Sequence, residues 1–331
     1  ASTLIPPADA VAMLATMRGG YNIRPLIDLL AHPDLAEIAA QGLSGTILVS
    51  TEDVDELAAL SADNSHAVNV LKSWAHGKWF TRKPEIPAEI TLAVFKVEGE
   101  INTDDFSPAS EAWSRPDIPL HALSMLSHRM ENPLAAIAEL KQTGHPIAFV
   151  GDVVGTGSSR KSAANSLIWH IGDDIPYIPN KRRGGVVLGG KIAPIFFNSL
   201  EDAGALPVEC DVSRIRHGDI IRISPYDGRI IRATDGVVIA EFQLKSNVLL
   251  DSVRAGGRIP LIIGRTLTHR AQETLERLSS IKPPVNQKPI FRSSPVPAAG
   301  SGGFTLAQKI VGRACGLPGI RPGAYCEPKI T

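Results

Sequence analysis

A glycine-rich segment near the middle of the chain has the residue types and spacing of an anion-binding loop. Residues 144–166 read GHPIAFVGDVVGTGSSRKSAANS, which predicts an apolar strand, a tight glycine turn and then a helix. Ser158, Ser159 and Arg160 are expected in the first turn of that helix. Free N–H groups and the positive end of the helix dipole meet there, and both favour an anion. The guanidinium of Arg160 has the fork geometry that suits a carboxylate or a phosphate.

Two phosphate-binding templates do not fit this loop. No Gly-Lys-Ser/Thr follows the glycines, so the Walker pattern is absent. The dinucleotide fingerprint requires a glycine at position 160, and Arg160 would obstruct the close helix–strand packing that this glycine permits. A carboxylate or other small anion is therefore preferred, with a capped turn without ligand and a nucleotide as the alternatives.

The hydroxyl at position 158 also has a chemical use. An unassisted serine is a poor base, whereas an alkoxide held by helix-terminal N–H groups and a nearby arginine is a much better one. Ser158 therefore has a role as a base that needs no histidine. No G-x-S-x-G pattern surrounds it, so a hydrolase triad is not predicted.

Two other charged clusters are interpreted as structural or solvent-exposed features rather than as functional sites. Asp104 and Asp105 are adjacent carboxylates after a predicted strand, which suits acid–base work or a metal. The preferred interpretation is a capped turn that also supplies a partner for a site arginine. The run Lys181–Arg183 is interpreted as a solvated loop rather than a nucleic-acid patch.

The histidines and cysteines do not form a metal-binding pattern. No two histidines have the i, i+4 spacing of a helical metal site, and His170 is interpreted as a core residue whose ring is hydrogen-bonded. Cys210, Cys315 and Cys326 form no C-x-x-C pair, so neither a zinc ribbon nor a complete iron–sulfur motif is predicted. They are interpreted as buried or incidental thiols, and their odd, sparse count fits a reducing compartment.

Composition excludes several classes of protein. The 331 residues carry 34 basic and 34 acidic side chains, so a whole-chain basic footprint for nucleic acid is absent. With 5% aromatic residues, a base-stacking platform is disfavoured. No run approaches the ~20 apolar residues of a membrane helix, and no secretory signal is seen. A cytoplasmic protein of about two domains is expected.

The elements that must position the loop form two regions of different character. Residues 1–84 have the apolar spacing of short helices, which predicts stacked helical hairpins or a plain helical subdomain in which Trp74 and Trp79 pack. Residues 85–268 alternate strands with a few helices and predict an α/β domain. The predicted helices lie at 10–17, 25–30, 35–40 (with Gly42 as a stop), 52–60, 66–79, 162–170, 195–201 and 304–314. The predicted strands lie at 90–97, 145–150, 185–188, 220–223, 229–232, 237–242 and 259–263.

Several long segments resemble one enzyme family. GDVVGTGSSRKSAANS resembles the swivel-domain loop of the aconitase superfamily, and residues 101–123, 180–209 and 253–265 resemble its bacterial branch, the aconitase B family. The C-terminal VGRACGLPGIRPGAYCEPKIT does so too. In that family a HEAT-like helical domain precedes the swivel domain, a linker and three catalytic domains around a [4Fe-4S] cluster. The enzyme interconverts citrate and isocitrate through cis-aconitate.

The resemblance implies an α+β or α/β fold class with four parts. These are a HEAT-like domain at 1–84 that is shortened at its N-terminus, a swivel domain at 85–268, a Pro/Gly-rich linker at 269–303 and the incomplete start of the catalytic core at 304–331. The chain is thus expected to be an N-terminal portion of a longer enzyme or one half of a split one.

The resemblance also implies roles for individual residues. Ser158 matches the serine that acts as catalytic base and contacts substrate, Ser159 and Arg160 match substrate-binding positions, and Arg115 matches a second arginine that holds a substrate carboxylate. The [4Fe-4S] cluster would be the cofactor of the complete enzyme. Its cysteine ligands are expected outside this chain, and no metal ligand is expected within it.

The expected partners follow from those roles. They are a tricarboxylate (citrate, isocitrate or cis-aconitate) and the cluster-bearing catalytic domains, in cis or in trans, without which the chain is expected to be inactive. Dehydration of 2-methylisocitrate, a homodimer formed through the helical domain and mRNA binding as a secondary role stay open. Two alternatives are a small subunit like that of isopropylmalate isomerase and an RNA- or protein-binding regulatory module.

Overall fold

The N-terminal region of the chain is a unit of short helices. A computed structural model of the protein describes residues 4–278, 289–293 and 302–322, with residues 324, 326 and 328. A 3-10 turn at Leu29–Ala31 joins the second helix to the third. The helices are α1 (Pro7–Thr16), α2 (Ile23–Asp28), α3 (Ala36–Gly45), α4 (Thr51–Leu60), α5 (Ser65–Ala75) and α6 (Lys78–Thr81). The apolar faces of α1–α5 share one core, which includes the fully buried Trp74.

Two glycines change the predicted helix boundaries. The helix predicted over 66–79 is two helices, because Gly77 has a φ of +60° and separates α5 from α6. Gly42 was expected to end α3, but that helix continues to Gly45. A Cβ at Gly42 would lie 2.7 Å from the Cβ of Ala15. Gly42 therefore lets α1 approach α3 closely, which is a packing role rather than a stop.

The following region is a mixed α/β unit. Its seven-stranded sheet has the order β6-β5-β2-β1-β7-β8-β9, with β1, β2, β5 and β6 parallel and the remaining pairs antiparallel. A separate hairpin pairs β3 with β4. The strands are β1 (Ile90–Asn102), β2 (Ile147–Thr156), β3 (Asp173–Ile175), β4 (Ile178–Arg183), β5 (Val186–Ile192), β6 (Leu206–Glu209), β7 (Ile220–Ser224), β8 (Arg229–Arg232) and β9 (Val238–Glu241).

Helices connect these strands, and apolar residues of both kinds of element form the largest buried core. A 3-10 turn at Ala109–Glu111 precedes the second of the helices. The helices are α7 (Thr103–Phe106), α8 (Ile118–Ala122), α9 (Pro133–Lys141), α10 (Lys161–Ile171), α11 (Pro194–Asp202), α12 (Val248–Ala255) and α13 (Arg258–Arg277). Later in the chain lies α14 (Leu306–Ala314).

One predicted strand is wrong. Residues 259–263 lie inside α13, not in a sheet. The run Ile-Pro-Leu-Ile-Ile is too short for periodicity to separate a strand from a buried stretch of helix. Gly256 and Gly257, with φ of +92° and +140°, form the corner at which α12 ends and α13 begins.

Helix α13 returns to the helical unit and completes its core. Leu267, Ala271 and Leu275 of α13 are buried among the apolar residues of the first helices. The indole N–H of Trp79 donates to Oγ1 of Thr268 over 2.9 Å. The helix continues past residue 269, where the linker was expected to start, and most of the interval 269–303 lies outside the described residues.

A third small core joins the two units. Phe291 packs on the rings of Trp79 and Phe80, with centroid distances of 5.9 and 5.2 Å. The carboxylate of Asp251 accepts hydrogen bonds from the backbone N–H of Arg292 at 2.6 Å and from its guanidinium at 2.8 Å. Among the described helices, none has both the length and the apolar character that crossing a membrane requires.

Candidate active site

The candidate site lies where three parallel strands end. β1 and β2 are neighbours and run in the same direction, and β5 pairs with β2 in parallel as well. Their carboxyl ends therefore meet at one edge of the sheet, the usual ligand-binding edge of open α/β sheets. Helix α7 follows β1 directly, residues 157–160 follow β2, and α11 follows β5.

The end of β2 requires glycine at position 155. Gly155 has a φ of +79°, a region that side chains of L-residues disfavour. A Cβ there would lie 2.1 Å from the ring of Phe196, which is buried and stacks on Phe106 with a centroid distance of 5.2 Å. The backbone of β2 can approach this aromatic pair only because no side chain stands between them.

The predicted position of the two serines is wrong by part of a turn. Helix α10 begins at Lys161, and Arg160 is its N-cap with an extended φ of −124°. Ser158 and Ser159 thus precede the first turn of the helix rather than forming it. The carbonyl oxygen of Ser158 accepts a hydrogen bond from Oγ1 of Thr103 over 2.9 Å, which ties this loop to α7.

Two adjoining cavities bring the four sequence-predicted residues together. A cavity of about 300 Å³ is lined by Ser158, Ser159 and Arg160, with walls from Thr103 and from the start of α11. A second cavity of about 410 Å³ is lined by Arg115 and also by Arg160. Arg160 is therefore a shared wall, although Arg115 lies 45 positions earlier in the chain.

Carboxylates hold both arginines in place. Nη1 of Arg160 forms an ion pair with Asp104 and donates to the carbonyl of Ser107 over 3.1 Å. Nε of Arg115 donates to the carboxylate of Glu111 over 2.9 Å. The hydrogen bond from Arg160 is the main reason that the pKa of Asp104 is lowered from its ordinary value. The hydrogen bond from Arg115 does the same for the pKa of Glu111.

The arginines keep further hydrogen-bonding capacity. A guanidinium has five N–H donors. Within the described part of the chain, Nε and Nη2 of Arg160 and Nη2 of Arg115 have no hydrogen-bond partner. The hydroxyls of Ser158 and Ser159 are likewise exposed and form no hydrogen bond to the described residues. The arrangement can thus accept an anion with several carboxylate oxygens.

The preferred interpretation of the adjacent acids is confirmed. Asp105 belongs to a capping box: its backbone N–H donates to the side chain of Asn102 at 2.9 Å, and its carboxylate accepts from the Asn102 N–H at 2.8 Å. Asp104 is the partner of Arg160. In the described residues no three His, Cys, Asp or Glu side chains converge as a metal-binding group.

Sequence reasoning missed three polar residues at the second cavity. Ser107, His121 and Ser162 all line it and are hydrogen-bonded to one another. Ser107 and His121 lie in the segment that carries Arg115, and Ser162 lies in the first turn of α10. No local pattern indicates that they meet, because they come from three separate elements.

Several other interpretations can be compared with the structure. His170 is confirmed as hydrogen-bonded, although it is half-buried rather than in the core: its Nε2 pairs with the carbonyl of Ala122 at 2.8 Å, and burial lowers the pKa of its imidazole. Trp74 and Trp79 are confirmed as packing residues, and the indole N–H of Trp74 donates to the carbonyl of Leu43 over 2.9 Å.

The basic run at 181–183 is not a solvated loop. It belongs to strand β4, and Arg182 donates to Asp174 over 2.8 Å while its guanidinium stacks 4.5 Å from the ring centroid of Trp169. The loop interpretation failed because cross-strand pairing with Asp174 decides the conformation.

Burial raises the pKa of the Cys210 thiol to about 12, whereas Cys315 and Cys326 are half-buried.

Comparison with known proteins gives consistent results along the whole chain. A family model described as the N-terminus of aconitate hydratase 2 matches residues 92–298, and one described as the aconitate B N-terminal domain matches residues 1–80. Aconitate hydratase B of Escherichia coli K12 is 54% identical over 340 residues, which cover 100% of this chain and 38% of that protein. The Synechocystis sp. PCC 6803 protein of the same name is 56% identical over 330 residues, covering 99% of this chain and 37% of its own length.

A solved structure of 3-isopropylmalate dehydratase from Methanocaldococcus jannaschii is also similar. It covers 55% of this chain and 97% of its own, with 21% sequence identity and a TM-score of 0.42. The chain spans less than two-fifths of the curated relatives that it matches.

Proposed function

Because the chain belongs to the aconitate hydratase 2 family, we propose that it forms part of an enzyme that interconverts citrate and isocitrate through cis-aconitate. One observation carries the proposal. Ser158, Ser159 and Arg160 line one cavity at the strand ends, and Arg160 shares the adjoining cavity with Arg115. The four residues to which the family resemblance assigns substrate contacts thus line two cavities that share Arg160, and this supports the proposal.

The chemistry of a tricarboxylate fits the two arginines. Each substrate carboxylate presents two oxygens, and a guanidinium can bind them with two parallel hydrogen bonds. Arg160 and Arg115 retain donors for such contacts after their internal ion pairs are formed. The exposed hydroxyl of Ser159 adds a further donor beside Arg160.

Ser158 would act as the base. Dehydration of citrate removes a proton from one carbon and a hydroxyl from the next, so cis-aconitate and water are formed. In this proposal Oγ of Ser158 accepts the proton from the carbon beside a carboxylate. Arg160, which lines the same cavity, would stabilise the serine alkoxide that precedes this step.

Departure of the hydroxyl needs a group that the described residues do not offer. A [4Fe-4S] cluster requires cysteine thiolates. The Cys210 thiol is buried with its pKa raised to about 12, and the described residues contain no converging set of metal ligands. The described residues therefore do not fit a cluster, and we propose that the cluster-bearing domains, in cis or in trans, hold it.

Five expectations from the sequence remain proposals. We place the protein in the cytoplasm, where free cysteines persist. We interpret α1–α6 as the family's HEAT-like domain, with homodimer formation and mRNA binding as functions to be tested on it. Dehydration of 2-methylisocitrate is a second reaction to be tested at the same site.

The experiment is a reconstitution. The chain is mixed with the cluster-loaded catalytic domains of an aconitase B, and cis-aconitate absorbance is followed after addition of citrate. We expect activity only in the mixture. Ser158→Ala should reduce the rate by about 10²–10⁴-fold, as expected for loss of a general base. Arg160→Lys should reduce it as well, because a lysine cannot form the bidentate contact.

Arg229→Lys is the matched control, since Arg229 is exposed on β8 and far from the site in the sheet order. Activity that survives both site substitutions would contradict the proposal. Turnover of isopropylmalate but not of citrate would favour the isopropylmalate-isomerase alternative instead.

A further inference from the structure

Three polar side chains connect the two segments that carry the site arginines. The hydroxyls of Ser162 and Ser107 are 2.7 Å apart, and Oγ of Ser107 lies 2.7 Å from Nε2 of His121. Nδ1 of His121 lies 3.2 Å from the carbonyl oxygen of Arg115. Ser107 and His121 are only 3% and 8% exposed, so protein atoms rather than water satisfy these groups.

The carbonyl at one end sets the direction of the chain of hydrogen bonds. A carbonyl oxygen only accepts, so Nδ1 of His121 carries the hydrogen. In the neutral imidazole Nε2 is then an acceptor, and the hydroxyl of Ser107 donates to it. Because the single hydrogen of the Ser107 hydroxyl is then used on Nε2, we infer that the hydrogen between the two hydroxyl oxygens, which are 2.7 Å apart, comes from Ser162. These hydrogen bonds form a relay from Ser162 through Ser107 and His121 to the carbonyl of Arg115, and each hydrogen in it is used once.

The same unit also touches the second arginine. The backbone carbonyl of Ser107 accepts from Nη1 of Arg160 over 3.1 Å. Ser162 lies in the first turn of α10, the helix for which Arg160 is the N-cap residue. The relay therefore contacts the backbone of Arg115 through His121 and the side chain of Arg160 through the carbonyl of Ser107.

Burial limits what this serine–histidine pair can do. A nucleophilic serine must reach its substrate, whereas Ser107 borders the second cavity with only 3% of its surface exposed. Its hydroxyl is also committed to His121. The pair is thus suited to orienting its neighbours and not to covalent chemistry.

We propose that His121 and Ser107 are positioning residues that hold Arg115 and Arg160 in register for carboxylates of a single ligand. The identity of that ligand rests on the proposed function, whereas the positioning itself does not. Two arginines from separate segments bind one small anion together most tightly when their relative positions are fixed before binding.

Two substitutions cut the relay at opposite ends. In the His121→Asn variant, the amide nitrogen takes the place of Nδ1 and can still donate to the carbonyl of Arg115, but the hydrogen bond with Ser107 is lost. In the His121→Gln variant, the longer side chain still reaches Ser107, but the hydrogen bond to the carbonyl of Arg115 is lost. His269→Gln is the matched control, because His269 is exposed on α13.

The first readout needs no ligand and uses the chain as it is. Nitrogen-15 NMR at pH 8 should show His121 with hydrogen on Nδ1 and none on Nε2. His121→Gln should shift the Nε–H resonance of Arg115 while leaving that of Arg160 in place, and His121→Asn should do the reverse. A hydrogen on Nε2, or equal shifts of both arginines in both variants, would overturn the relay.

The second readout is citrate affinity measured by calorimetry. His121→Gln should weaken citrate binding about tenfold in the wild-type background and less than twofold when Arg115 is already alanine, because coupled residues are not additive. Equal weakening in both backgrounds would show a merely structural role. If the mixture with the cluster-loaded catalytic domains turns over no citrate while the arginine shifts occur as expected, the proposed function fails and the relay stands.

Discussion

The junction between the two units and the loop at residues 157–160 use polar groups in opposite ways. At the junction the carboxylate of Asp251 is 1% exposed and is bonded to Arg292 through both oxygens. Arg254 donates to the carbonyls of Thr81 and Lys83. At the loop the hydroxyls of two serines are exposed and form no hydrogen bonds to the described residues.

The difference shows where stability and binding capacity reside. Buried polar groups must be bonded within the protein, since each one left without a partner costs about 1–3 kcal/mol. The junction satisfies this requirement and fixes the helical unit to the sheet. The loop instead leaves donors for a ligand while its backbone is held by Thr103 and by the close contact at Gly155.

The largest expected effect is at the junction. Arg292→Met would leave the buried carboxylate of Asp251 without its cation, and breaking a buried pair in this way costs about 3–5 kcal/mol of the free energy of unfolding. Urea denaturation measures this loss. Asp251→Asn in the same chain should recover part of it by removing the unpaired charge. A cost for Arg292→Met as small as that of the exposed control Arg229→Met would contradict this picture of the junction.

A smaller loss of stability is expected at Gly155, where β2 packs against Phe196 and supports the loop at residues 157–160. Gly155→Ala combines an unfavourable φ of +79° with a Cβ 2.1 Å from the ring of Phe196. Strain and overpacking together should cost about 2–4 kcal/mol. Gly144→Ala is a matched control with a similar φ of +75° and open space around it, so only the backbone cost of about 1 kcal/mol remains. Equal thermal stabilities of the two variants would show that contact with Phe196 does not restrict the loop.

The smallest expected effect concerns Lys83, whose ammonium donates to the carbonyl of Ala255 at the end of α12. Burial, with the nearby charges of Arg183 and Arg18, lowers the pKa of Lys83 from 10.5 to about 8. Between those values the unfolded chain binds the proton more tightly than the folded chain. Stability should therefore rise as the pH increases from about 8 to 10.5, by on the order of 2 kcal/mol after allowance for solvent screening.

The difference between wild type and Lys83→Met isolates this contribution, because the other titrating groups are common to both proteins. Lys78→Met, at an exposed lysine of the neighbouring α6, is the control. Parallel pH–stability curves for wild type and Lys83→Met would show that the ammonium is not desolvated at the junction.

Much of the local structure follows from residue patterns. The helix after the glycine loop was predicted over 162–170 and spans Lys161–Ile171, and the strand predicted over 229–232 has those same limits. Periodicity and turn residues act over a few positions, so they suffice for such elements. They failed at 259–263, where a short apolar run fits a strand and a buried helix equally well.

The candidate site divides in the same way. Ser158, Ser159 and Arg160 are consecutive, so the chain itself places them together. Arg115 was connected to them only by family resemblance, and the roles of all four residues stay predictions. His121, Ser107 and Ser162 lie in segments with family resemblance, but no residue pattern assigns them a role or indicates that they meet.

Residue patterns were enough to predict the strand and the helix that flank the glycine-rich, anion-suited loop, because backbone preferences and apolar spacing act locally. The tertiary structure alone decided that α13 returns to complete the first core, that Arg115 and Arg160 share a cavity, and that His121 joins their segments. The physical reason is that burial of apolar faces and pairing of buried polar groups are satisfied between residues that lie far apart in the chain.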